Sequence, residues 1–199
     1  MKEKKIDIFE LGDLIDSVIV GMADKKPISS IVIQKGIFLY LLSYSRAHGY
    51  KFKDIASSVG FEPYKYGPFS DFVNGEIDTL QGYGDIFIER KANTNLIESN
   101  PESVEKYLLN GIDNKILENV KSLVEKLTTN ELVFFVYFNP DIYEKQDGDI
   151  RKYFISNSEI KDKLEKEKGY FIKKLQEKSV IDQGTSDVIL YGTAKKAID

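Results

Sequence analysis

The chain has 199 residues, of which 42% are hydrophobic and 30% charged, a balance that excludes an intrinsically disordered protein and supports a core without covalent staples. It has no cysteine and a single histidine, which excludes disulfides, thiolate metal sites and a cysteine nucleophile, and makes a reducing cytoplasm the expected compartment. The net charge is −4, with 12 Lys+Arg against 14 Asp+Glu in residues 1–99 and 16 against 18 in the remainder, so neither half carries the basic surplus of a protein that grips phosphates.

The opening Met1-Lys2-Glu3-Lys4-Lys5 leads into an amphipathic segment rather than an apolar run with a small-residue cleavage site, so no signal peptide is expected. The longest apolar stretch, near Ile31 to Leu42, is broken by Gln34, Lys35 and Gly36 and is too short for a bilayer. Leu11, Leu14, Ile15, Val18 and Met22 recur at helical spacing and predict a first helix over about 7–23. Asp24-Lys25-Lys26-Pro27 breaks it. Ser29 or Ser30 is then the candidate cap of a second helix, about 29–47, which is apolar nearly all round and therefore central to a core. His48-Gly49 closes it. Residues 50–68 read as irregular, with Pro63 and Gly67-Pro68 forbidding regular helix. A third helix is predicted over about 69–82, with Phe69, Phe72, Val73, Ile77 and Leu80 on one face and Gly82-Tyr83-Gly84 as its stop. The alternation Asp85-Ile86-Phe87-Ile88-Glu89, a polar turn over Arg90 to Asn95 and the return Leu96-Ile97 predict a two-stranded ribbon. Helix, turn and ribbon in that order are the order of a winged helix.

The second half is helical. Ile116, Val120, Leu123, Val124 and Leu127 mark a helix at about 112–127, and Thr128 with Glu131 forms a capping box that opens another at about 129–138, ended by Pro140. Gln146 to Asp149 reads as a turn. Ser156 and Glu159 form a second capping box before a long Lys- and Glu-rich helix, about 157–179, with Ile160, Leu164, Phe171 and Leu175 on one face. That stripe reads either as intramolecular core or as a dimer seam. The expected fold is thus mainly α with a small β wing, α+β in class: a winged-helix-like domain over residues 1–100 and a helical C-terminal region over 101–199 packed on it.

Gln34-Lys35-Gly36-Ile37-Phe38-Leu39, then Phe61-x-Pro63-Tyr64-x-Tyr66-Gly67-Pro68-Phe69-Ser70, then a helix ending near Gly84-Asp85-Ile86, together resemble a superfamily of prokaryotic winged-helix-like proteins. That group includes the Panacea (SocA-like) antitoxin domain and the YwgA-type proteins. The resemblance covers residues 28–98 and, more weakly, 128–143, where Thr128-x-x-Glu131-Leu132 is followed by Tyr137 and Pro140. It implies a non-enzymatic role as an antitoxin, adaptor or transcription regulator. The longer C-terminal helical part departs from the antitoxin pattern.

Each candidate residue carries more than one reading. Tyr64, Tyr66 and Ser70 form a partner surface, because tyrosine offers a large rigid area with a polar tip; alternatively the tyrosines cover the core, Gly67-Pro68 sets a turn and Ser70 caps the third helix. Lys35 binds an anion or pairs with a buried acid, or it packs its stem and sends its ammonium to water. The third helix has the place of a DNA-recognition helix, and its Asn74 can read adenine. Between Ser70 and Tyr83, however, it has three carboxylates and no Lys or Arg, which opposes a phosphate-lined groove. Arg90 and Lys91 at the ribbon tip either touch DNA or are simply solvated. His48, at a helix end, fits a structural role better than a catalytic one. No catalytic constellation, metal site or cofactor fingerprint is present in the sequence. The expectation is a protein that recognises another protein or self-associates, with a DNA-binding regulator as the alternative and with no membrane, cofactor or small-molecule substrate.

Overall fold

The computed structural model of the protein describes residues 6–62, 64, 67–91, 94–108, 112–138 and 158–180. Among these residues are eight helices and three strands. They run α1 (Ile8–Met22), β1 (Ile28–Ser29), α2 (Ser30–His48), α3 (Phe52–Ser58), α4 (Asp71–Tyr83), β2 (Ile86–Lys91), β3 (Thr94–Ser99), α5 (Pro101–Leu108), α6 (Asn114–Lys126), α7 (Thr129–Phe138) and α8 (Ser158–Glu177). The protein is mainly helical with one small antiparallel sheet in the order β1-β3-β2. No helix among the described residues is long and apolar enough to cross a membrane. The turn at Gln146–Asp149, Pro140, the capping serine Ser156 and the side chains of Ile160 and Leu164 lie outside what is described.

The nearly all-apolar α2 is the central element, packed by α1, α3, α6 and α7. Ser29 caps it, its Oγ accepting from the Val32 N–H, and Gly49 ends it in the left-handed region at φ 73°. Phe38 sits fully buried on α2 with its ring edge-on to Phe52 at 5.0 Å and to Phe61 at 5.3 Å. Burying a side chain of this size contributes about 2–3 kcal/mol, and here one ring anchors both α3 and the start of the segment that leads to α4. Buried apolar residues from both halves of the chain form one continuous core. Tyr40, wholly buried, accepts a hydrogen bond on its hydroxyl from the Asp113 N–H at 2.9 Å and so ties α2 to the start of α6. The Phe134 and Phe171 rings stack at 4.7 Å between α7 and α8, so Phe171 belongs to intramolecular core.

Three elements correct the sequence-based expectations. Residues 50–68 are not irregular throughout, because Phe52–Ser58 is helical and puts Phe52, Ile55, Ala56 and Val59 into the core. The helical period is present there but lasts barely two turns without a side-chain cap, and Gly60 at φ 66° stops it. α5 begins at Pro101, the first-turn position that proline suits, with the Asn100 side chain accepting from the Glu102 N–H; its one buried residue is a serine, so its period is faint. β1 is two residues long, pairing Ile28 with Ile97 and Ser29 with Leu96. A pair of residues shows no alternation to read.

Candidate functional site

The segment between α3 and α4 is a small hairpin. Glu62 and Phe69 exchange backbone hydrogen bonds of 2.8 and 3.0 Å, and the Gly67 N–H returns to the Tyr64 carbonyl at 3.0 Å. Gly67 takes φ 90°, which a residue with a side chain adopts only under strain. A Cβ on Gly67 would also lie 2.9 Å from the Lys35 Cε, so the backbone comes down directly on the lysine stem.

Two neighbouring α2 residues hold this hairpin. Gln34 donates from Nε2 to the Ser70 carbonyl at 2.9 Å and to the Asn74 Oδ1 at 3.1 Å, and its Oε1 accepts from the Ser70 N–H at 3.1 Å. Lys35 donates from Nζ to the Pro68 carbonyl at 2.6 Å. Lys35 does not send its ammonium to water, and it has no buried acid as partner: it is 2% exposed, and among the described residues no carboxylate pairs with it. Burial alone pushes its amine down to about 7. Ser70 is buried, accepts the Val73 N–H as the α4 cap and donates to the Val59 carbonyl at 2.6 Å. The cap reading of Ser70 therefore describes its contacts. Tyr64 is 54% exposed and lies against Phe69 at 5.0 Å between ring centres. Tyr66 lies outside the described residues.

Between α2, α4 and the β2–β3 ladder is a cavity of about 350 Å³. Gln34, Lys35, Tyr64, Asn74, Asp78 and Asn95 line its polar parts. Ile31, Ile77, Ile88 and Ile97 supply apolar wall. The structure thus brings Lys35, Tyr64 and Asn74 together, with Ser70 fixed beside them, and leaves Arg90 and Lys91 apart at the exposed end of the ribbon, where Lys91 pairs with Glu89 at 3.2 Å. Sequence reasoning missed Asp78 and Asn95 as lining residues. Asp78 stands one turn beyond Asn74 and was within reach of helical spacing; Asn95 lies on a different element, and no local pattern links it to α2.

A second polar cluster joins α1 to α4. Burial, then the charge and hydrogen bond of Glu76, then Asp13 and Asp85, push the Asp16 carboxyl up to about 8. Its Oδ1 is buried and lacks a hydrogen-bond partner. Asp85, at the entry to β2, accepts from the Ser103 hydroxyl at 2.6 Å and the Tyr107 hydroxyl at 2.7 Å. Burial alone would raise Asp85; those two hydrogen bonds and the nearby Lys106 outweigh it and hold its carboxyl below the usual range. His48 lies over the Tyr44 ring at 4.2 Å, with Nε2 3.8 Å from the Asp113 carboxylate. No group of three metal-ligating side chains occurs among the described residues.

The chain matches no protein-family model, and neither curated proteins nor solved structures give a match to it.

Proposed function

We propose that the protein is a non-enzymatic regulatory or adaptor module, antitoxin-like in kind, that recognises another protein through a winged-helix-like N-terminal domain. The element order α1-β1-α2, then α4-β2-β3, and the sheet order β1-β3-β2 support the winged-helix reading, with α3 inserted before α4. In that reading α4 holds the recognition-helix place and the β2–β3 turn is the wing. The observation that carries the choice of partner is the charge of α4. Asp71 and Asp78 are exposed, Glu76 is half-buried, and no Lys or Arg stands between Ser70 and Tyr83. Such a helix repels a phosphate-lined groove. Tyr83 and Phe87, on either side of the α4 stop, are exposed aromatics of the kind that anchor protein interfaces.

The test is fluorescence anisotropy with random duplex DNA from low to physiological salt. The expected result is no binding even at low salt, together with loss of a stoichiometric protein complex when Tyr83 and Phe87 are changed to Ser. Micromolar DNA binding that falls steeply with salt, and that is lost when Arg90 and Lys91 are changed to Ala, would replace this reading with a DNA-binding regulator.

A further inference from the structure

Protein recognition by the outer face of α4 leaves the neighbouring cavity without a use, and that cavity contains an unusual group. Lys35 is a buried cation whose hydrogen bond goes to a neutral carbonyl, and among the described residues no carboxylate pairs with it. A charge taken out of water is costly unless an opposite charge compensates it. Lys35 sits in the wall of a concave site that is already large enough for a ligand.

We propose that the cavity between α2, α4 and the β2–β3 ladder is a binding site for an apolar carboxylate, its anionic end received by the Lys35 ammonium and the Asn74 amide and its body packed against Ile31, Ile77, Ile88 and Ile97. The size fits: apolar cavities of about 150 Å³ take benzene, and this one, at about 350 Å³, has room for a branched or aromatic acid with its carboxylate. The charge fits a monoanion. Among the described residues of the lining Lys35 is the lone cation, beside the neutral groups of Asn74, Asn95 and Ser30, so a phosphate monoester would bring one negative charge too many. The sign of the field fits as well, because Ser30 and Ile31 belong to the first turn of α2, whose dipole presents its positive end there. Tyr64 and Asp78 are the other titratable groups among the described residues of the lining. Asp78 is exposed, at the solvent side, and directs the anionic end of a ligand inward, away from itself and toward Lys35. The site goes beyond the partner-recognition reading and stands or falls apart from it.

Because burial holds the Lys35 amine near 7, binding a carboxylate at pH 8 recharges it and takes up a proton from solution. That count is the signature. Two sources offer the same chemistry, a free small acid and the C-terminal residue of a peptide chain.

The test is isothermal titration calorimetry of the full chain with 4-methylpentanoate, its neutral amide 4-methylpentanamide, and N-acetyl-leucine, at pH 6.5 and 8, in two buffers of different ionisation enthalpy. The expected result is that the acids bind about tenfold or more tighter than the amide, with close to one proton taken up at pH 8 and far less at pH 6.5. Lys35→Met is expected to erase the preference for acid over amide, and the proton count on the unaltered protein supports the assignment without any variant. Tighter binding of N-acetyl-leucine than of 4-methylpentanoate assigns the site to chain termini; the reverse order assigns it to free acids. Equal binding of acid and amide, no acid binding, no proton uptake at pH 8, or an acid preference that survives in folded Lys35→Met each overturns the proposal.

Discussion

Replacing Lys35 by Met tests the physical core of the site directly. Methionine keeps the length and shape of the stem, so the α2 packing and the contact beneath Gly67 are retained. What changes is the charge and one hydrogen bond. Below pH 7 the lysine is protonated in both folded and unfolded chains, and its burial cost is fully present. Between about 7 and the ordinary 10.5 the unfolded chain holds more protons than the folded one, so the stability of the unaltered protein rises with pH. The whole displacement corresponds to roughly 5 kcal/mol at about 1.4 kcal/mol per pH unit. Against this, the variant leaves the Pro68 carbonyl without its donor, at a cost of about 1–3 kcal/mol. Lys35→Met is therefore expected to be more stable than the parent by about 2–4 kcal/mol at pH 6. At pH 9.5 the parent has recovered roughly 3 kcal/mol, and most or all of the advantage is gone. Urea unfolding at the two pH values, with midpoints and slopes fitted separately, gives the difference. A stability difference that is the same at pH 6 and pH 9.5 would refute the assignment of Lys35 as an uncompensated buried cation.

Asp16→Asn works with the opposite proton balance. The folded chain holds the Asp16 proton up to about 8, so the parent loses stability as pH rises from about 4 to 8 while the variant does not; thermal melts at pH 5 and pH 8.5 should show the variant gaining ground at the higher value, and parallel curves would refute a carboxyl raised by burial and by Glu76. Gly67→Ala meets both the left-handed φ and the Lys35 Cε, whereas Gly49→Ala meets the φ of its helix end with open space around it. The first should cost roughly 2–4 kcal/mol and the second about 1–2, and equal costs in urea unfolding would mean that the hairpin does not press on Lys35. Ser70→Ala removes the α4 cap and leaves the Val59 carbonyl without its donor, with an expected loss of about 2–4 kcal/mol. A loss under about 0.5 kcal/mol would show that α4 starts without it.

How much of this was legible in the sequence depended on the range of the forces involved. α1 and α6 were readable because each repeats an apolar face over several turns, α2 because it is apolar nearly all round, and α7 from the capping box that opens it; helix ends were readable where a side chain closes on its own backbone. Thr128 and Glu131 do so reciprocally, at 3.3 and 2.7 Å, and Ser70 and Gly49 act within one turn of themselves. α3 and β1 escaped because they are too short to display a period, and tertiary contacts such as Phe38 against Phe52 decide them instead. Lys35 shows the limit most clearly. Its position within an apolar helix marked it as unusual, but three readings were open: an anion, a buried acid, or water. The choice lies in what meets the ammonium, and that is the carbonyl of Pro68, 33 residues further on, delivered by a turn that only a glycine at 67 allows to come so close. No pattern within α2 contains that information. The same long-range closure brings Asn74 and Asn95 to the cavity that Lys35 lines and turns an odd residue in a core helix into part of its wall.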